Sequence, residues 1–308
     1  MPKKFLLYLI ILIAFSFKYS FSKDIKILAK LNEDIITNID VEFEKNYLLF
    51  LNENLKKLNQ KDINNIAKNS LIREKIKQKE TKKFFDLNKN YSFEEDLIVN
   101  FYNKKKFSNK KDFLSHLKEK NISIKKIEKK LKIDTLWNQI IYNKFNKNVK
   151  IDKNYLKNKI IESYKNNKVY EYNLSEILFE KGKDENETFN KIKKSIKEIG
   201  FKNTANKLSI SDSSNFGGEI GWVKGSQLSR IIREKIYNTK KGEFTDPIEN
   251  SNGYLILKVN DKKEIKKEIN LEVELKNLIN FETNRQLSQF SMIYYKRLKR
   301  NTNIDEYK

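Results

Sequence analysis

The chain has 308 residues, no cysteine, one histidine (His116) and two prolines, and 64 basic against 41 acidic side chains leave a net charge of +23. Without cysteine and with one imidazole, disulfide frameworks, Cys/His zinc sites, haem or iron–sulfur ligation and every Ser-His or Cys-His nucleophile are excluded. Nor does the charge point to nucleic acid: it is lysine spread evenly among Asn and Ile, with arginine only at Arg73, Arg230, Arg233, Arg285, Arg297 and Arg300, whereas phosphate and base readers favour the clustered guanidinium fork.

Lys3 and Lys4 precede an apolar run from Phe5 to Phe17, and after Lys18 the small residues Ser20 and Ser22 stand two apart. This is the order of a secretory signal, with cleavage expected between Ser22 and Lys23. The run is shorter than the roughly 18 residues that span a bilayer core, so residues 1–22 are expected to be a signal peptide, with no stable membrane insertion once it is removed.

All eight glycines, and Pro247, lie between residues 182 and 253. Glycine supplies tight turns and positive φ, so the flanks are expected to be helical and the centre to hold strands. Ile25 to Leu31 alternates as a half-buried strand does, followed by a turn at Asn32 to Asp34. Thr37 with Asp40, and Ser92 with Glu95, have the spacing of capping boxes. Apolar periodicity predicts helices near 38–55, 62–83, 92–104, 109–120 and 123–146, with Trp137 in the core and His116 at a solvated helix position.

The central segment alternates. Val169 to Phe179 is expected as a strand, Asn186 to Ile199, Phe201 to Leu208 and Gln227 to Tyr237 as helices, and Gly253 to Asn260 as a final strand, an α+β order. Ile265 to Arg300 carries Leu271, Leu275, Leu278, Leu287, Phe290, Tyr294 and Leu298 on one stripe, predicting one long amphipathic helix or two. A stripe that long must pack on this chain or on a partner.

The run Gly217-Gly218-Glu219-Ile220-Gly221-Trp222, then Gly242, Pro247-Ile248 and Gly253 to Val259, resembles the parvulin (PpiC-type) peptidyl-prolyl isomerase domain. The Ser175 to Phe179 strand, the Phe201 to Ala205 helix and Ser209 precede it at the expected intervals. The N-terminal strand and turn, the stretch Phe113 to Ile122 leading to the Trp137 helix, and Leu298 to Ile304 resemble periplasmic chaperones of the SurA type. The resemblance implies an α+β chain in four parts: a signal peptide at 1–22, a mostly helical chaperone domain at 23–167, a parvulin-like domain at 168–262, and a C-terminal helix at 263–308 that packs on the first domain.

By the same resemblance, the ring pocket for proline falls on Ile220, Leu228 and Ile232, the last where the family usually has Phe. One family histidine falls on Ser175 and the other on Leu255, so both imidazoles are replaced, and Leu255 joins the pocket wall. The family's Cys or Asp falls in the pair Ser211-Asp212, and Asp212 can act electrostatically or simply belong to a polar turn. Glu219 stands for the usual Asp. The chemistry such a domain performs is rotation about an X-Pro amide, which needs no cofactor and no metal.

Three functions follow as expectations. The first is an exported periplasmic holdase for unfolded outer-membrane or secreted proteins, using a parvulin-type domain with weak or lost isomerase activity. The second is a working parvulin-type isomerase, and the third a scaffold for an envelope assembly complex. Expected partners are unfolded or nascent envelope proteins offering proline-containing, aromatic-rich segments.

Overall fold

The computed structural model describes residues 24–165, 169–181, 184–250, 253–265 and 270–307, so the expected signal segment lies outside the described residues. Among the described residues, no helix is long and apolar enough to cross a membrane.

The chain opens with β1 (Ile27–Leu31) and β2 (Asp34–Thr37), an antiparallel pair joined at Asn32 and Glu33. β2 runs directly into α1 (Asn38–Leu51), where the capping box forms as the spacing predicts: the Asp40 backbone N–H donates to Thr37 Oγ1 (3.2 Å) and the Thr37 N–H to Asp40 Oδ2 (3.0 Å). A 3₁₀ turn at Glu53–Lys57 leads to α2 (Gln60–Thr81), followed by α3 (Glu94–Lys104), α4 (Lys110–Glu119), α5 (Ile124–Phe145) and α6 (Lys153–Lys165). Two expectations need correction. Ser92 caps nothing: α3 starts after Phe93, and Glu94, not Glu95, reaches back to the Tyr91 N–H. His116 is half-buried against the rings of Phe50 and Phe107, at 5.8 and 5.3 Å between centroids, because α4 packs its apolar side on α1.

The centre begins with β3 (Val169–Phe179), then α7 (Glu185–Ile199) and α8 (Phe201–Leu208). After a 3₁₀ turn at Asp212–Phe216 come β4 (Glu219–Lys224), α9 (Arg230–Tyr237), β5 (Ile248–Asn250) and β6 (Gly253–Ile265). The helix expected from Gln227 starts three residues later, because Gly225–Gln227 forms a separate 3₁₀ turn and Ser229 caps α9. The strands form one antiparallel sheet in the order β4-β3-β6-β5. Its back face, with Ile177, Phe179 and Ile256, is covered by Ile192 of α7 and by Phe201 and Ala205 of α8.

The last segment is one 30-residue helix, α10 (Leu271–Arg300), followed by β7 (Ile304–Glu306). α10 packs Leu278 on Leu156 and Ile160 of α6, and Leu287 and Tyr294 on Trp137, Ile140 and Ile141 of α5. Trp137 is fully buried, as its spacing predicts. β7 pairs with β1, completing a three-stranded sheet in the order β2-β1-β7. The architecture is α+β, a helical body closed by the C-terminal helix and carrying a central sheet module.

Candidate functional site

β3 is buried on both faces. Ile177 and Phe179 point to the back, whereas Tyr172, Leu174 and Leu178 share the front with Leu255, Leu257 and Val259 of β6. Strand alternation puts Glu176 on that front face, flanked by leucines, and Ser175 on the back. Ser175 is fully buried and its hydroxyl accepts from Asn260 Nδ2 (2.8 Å), Asn260 being the extra residue of a bulge in β6 opposite Asn173 and Leu174. Glu176 receives two hydroxyls on Oε1, from Ser211 at 2.5 Å and Ser213 at 2.9 Å.

Gly218 makes this convergence possible. Its φ of +79° lets its carbonyl accept the Glu176 N–H at 2.7 Å, and a Cβ there would collide with the Glu176 carbonyl oxygen. The 3₁₀ turn Asp212–Phe216 then faces its serines and its aspartate in different directions. Ser211 and Ser213 meet Glu176, while Asp212 lies against the helical body, 3.3 Å from Lys77 Nζ and 3.7 Å from Arg73. Arg73 also donates to the Ser211 carbonyl and to Ser214 Oγ, each at 3.2 Å. Burial opposes the Asp212 carboxylate, but Lys77 and Arg73 outweigh it and hold its pKa below the usual aspartate value. Burial likewise opposes the Lys77 ammonium, and Asp134 and Asp212 raise its pKa above that of a free lysine. Beneath the turn, a cleft of about 230 Å³ lies between body and module, walled by Tyr47, Leu51, Asn138 and Phe216.

The sequence-derived pocket residues are placed as follows. Leu228 and Leu255 belong to the front-face cluster, 6% and 9% exposed, and Ile232 packs on the same cluster half-buried. Ile220 is 42% exposed, the extra residue of a bulge in β4 beside Gly221, whose φ is +91°. Glu219 is at the surface, paired with Lys202. The 3₁₀ turn before Leu228 is tied to the body, since Lys159 of α6 donates to the Gln227 carbonyl at 3.4 Å. Burial lowers the Lys159 pKa to about 8, Glu282 opposing this and Arg233 and Arg285 adding to it.

Sequence reasoning did not single out Glu176, Ser213, Arg73 or Lys77. The one available signal was parity along β3: the front-face leucines at 174 and 178 put 176, not 175, between them.

Residues 177–261 match the rotamase family, described as the PPIC-type PPIASE domain. The foldase protein PrsA of Geobacillus kaustophilus is 40% identical over 73 residues, 24% of this chain and 25% of that protein, and PrsA of Bacillus subtilis 32% identical over 104 residues, 32% and 35% of the two chains. The chaperone SurA of Alcanivorax borkumensis is 38% identical over 58 residues, 18% of this chain and 13% of that one. The matched segment thus spans about a third or less of each of these relatives. Among solved structures, a SurA-like chaperone of Campylobacter jejuni aligns over 92% of this chain and 99% of its own at 18% identity and TM-score 0.37. Peptidylprolyl isomerase PrsA of Bacillus anthracis aligns over 77% and 98% at 21% identity and TM-score 0.32. Residues 177–261, which hold most of the four-stranded sheet and its glycine turn, thus match the PpiC-type peptidyl-prolyl isomerase domain, and part of the chain is similar to PrsA foldases and SurA chaperones.

Proposed function

We propose that the chain is an exported folding factor of the cell envelope, a holdase for unfolded outer-membrane or secreted proteins, whose PpiC domain binds proline-containing, aromatic-rich segments and rotates X-Pro bonds weakly or not at all. Support for export comes from the charged, apolar and small-residue order of residues 1–22. The division into helical body (23–167), PpiC module (168–262) and closing helix (263–308) is part of the same reading.

The observation that carries the weak-isomerase reading is the pair of hydroxyls on Glu176. Rotation about an X-Pro amide has a barrier of about 18–20 kcal/mol, and an enzyme lowers it by holding the twisted amide better than the planar one, with polar groups aimed at the reacting bond. Here no imidazole is present, and the hydroxyl protons of Ser211 and Ser213 are committed to a carboxylate. The apolar half of a proline site persists in Leu228, Ile232 and Leu255, which supports binding without fast turnover.

The test is an exchange-NMR isomerisation assay on a short Phe-Pro peptide with the full chain, beside an aggregation assay on an unfolded barrel protein. Suppressed aggregation with little or no acceleration of the bond is expected. An acceleration abolished by Ile232→Asp would replace this reading with that of an active isomerase, and failure to suppress aggregation would remove the holdase.

A further inference from the structure

α10 does more than close the body. Its Phe281 and Met292 pack on the front-face cluster that contains Leu228 and Leu255. Eleven residues make just over three helical turns, so the two side chains lie on one side of α10, about 16 Å apart along its axis. Ion pairs bracket this stretch. Glu274 near the start of α10 pairs with Lys224, whose register partner on β3 is Glu171, and Lys296 near its end lies 2.9 Å from Glu180, the residue after β3. From Glu274 to Lys296 a helix rises about 33 Å, and from Glu171 to Glu180 an extended strand covers about 30 Å. The helix thus spans a distance close to the length of β3, with Phe281 and Met292 packed on the cluster that shares the face with Glu176.

We infer that this face is an interaction surface whose occupant in the closed molecule is α10 itself. Leu228 and Leu255 are 6% and 9% exposed, leaving a proline ring no access while Phe281 and Met292 are seated. The partner that fits in their place is an extended, unfolded segment presenting two bulky apolar or aromatic side chains on one face about 13–20 Å apart, a spacing of four or six residues in a strand, because successive side chains point to opposite faces. Such a segment competes with α10. The body keeps hold of α10 through Trp137 and Ser291, and through Tyr294 and Glu80, so exposure of the face takes separation of the module from body and α10 together: rupture of the Lys224–Glu274 and Lys296–Glu180 pairs and of the contacts of Arg73, Lys77 and Lys159 with the module. The identity of the competing peptide rests on the function proposed above; the occupancy by α10 does not.

The experiment compares the full chain with Phe281→Gln/Met292→Gln, which keeps good helix formers at both positions, and with Lys296→Gln, a milder change at a surface ion pair. Hydroxyl-radical footprinting of Leu228, Ile232 and Leu255 reads the cover directly, and fluorescence anisotropy of a labelled peptide with Phe-Pro and a second aromatic four residues away reads the competition. In the double variant, labelling of the three residues is expected to rise at least threefold and peptide affinity at least fivefold, with smaller changes of the same sign in Lys296→Gln. Unchanged labelling in both variants overturns the occupancy. Increased labelling with weaker peptide binding overturns the competition and makes Phe281 and Met292 a wall of the site instead. Increased labelling with no peptide bound by any form supports the cover and removes the peptide-binding reading on its own.

Discussion

The indole N–H of Trp137 donates to Ser291 Oγ at 2.9 Å, with both residues buried. The bond joins α5 to α10 and is the polar member of an otherwise apolar contact in which Trp137 and Tyr294 lie 5.6 Å apart between ring centroids. Ser291→Ala removes the acceptor and leaves a buried donor without a partner, an expected loss of about 1–3 kcal/mol. Urea unfolding followed by tryptophan fluorescence measures it, and a loss below about 0.5 kcal/mol would show that the bond does not hold the closing helix.

Gly218 and Gly221 provide a matched pair of alanine substitutions. Both have positive φ, +79° and +91°, but a Cβ at Gly218 meets the Glu176 carbonyl and the Ala205 side chain, while a Cβ at Gly221 meets open space. Gly221→Ala is expected to cost about 1–2 kcal/mol from its backbone alone. Gly218→Ala is expected to cost clearly more and to shift the Ser211 and Ser213 hydroxyls off Glu176. Equal melting temperatures for the two variants would contradict the close approach.

Asp212 holds the turn that carries both serines. Its pKa is lowered by Lys77 and Arg73 against the effect of burial, so the pairing contributes stability above the ordinary aspartate pKa and loses it as pH falls through the lowered value. Wild type is expected to be more stable than Asp212→Asn at pH 7, and the difference is expected to shrink as pH falls below the ordinary aspartate pKa of about 3.9 and to vanish only below the lowered value. Amide exchange at Ser214, Gly217 and Gly218, whose N–H groups donate within the turn, is expected to speed up in Arg73→Met. A pH-independent difference would mean that Asp212 contributes by packing alone.

Lys159 titrates in the other direction. Burial lowers its pKa to about 8, so between that value and about 10.4 the unfolded chain binds the extra proton and stability rises with pH. Lys159→Met is expected to be relatively more favourable at pH 7 than at pH 10, and parallel stability curves across that window would show that the ammonium is well solvated.

The helical body was legible because its apolar residues recur at helical spacing and its caps are local: Thr37 and Asp40, three residues apart, are enough to place the start of α1. β2 and β7 were not expected, since strands of four and three residues have no period to count, and β7 is defined only by its pairing with distant β1. α6 escaped notice because its buried face rests mainly on Leu156 and Ile160, too few to mark a stripe. At the site, apolar residues on both faces of β3, Leu174 and Leu178 in front and Ile177 and Phe179 behind, blur the polar–apolar alternation, so only the parity of the leucines separates Glu176 from Ser175. The direction of Asp212 depends on Arg73 and Lys77, more than a hundred positions earlier in the chain, and no local pattern encodes it.

The pairing of Ala29 with Glu306 and of Leu31 with Ile304 dictates an order of maturation. Synthesis delivers β1 first and its partner β7 almost last, whereas all four strands of the central sheet emerge in one uninterrupted stretch. The module can therefore finish while the body still waits for its last helix and strand, because contacts between remote parts of a chain are the slow ones to form. A prematurely terminated product would carry a finished module on a body with its core open, and quality-control proteases would find it by that exposed interior.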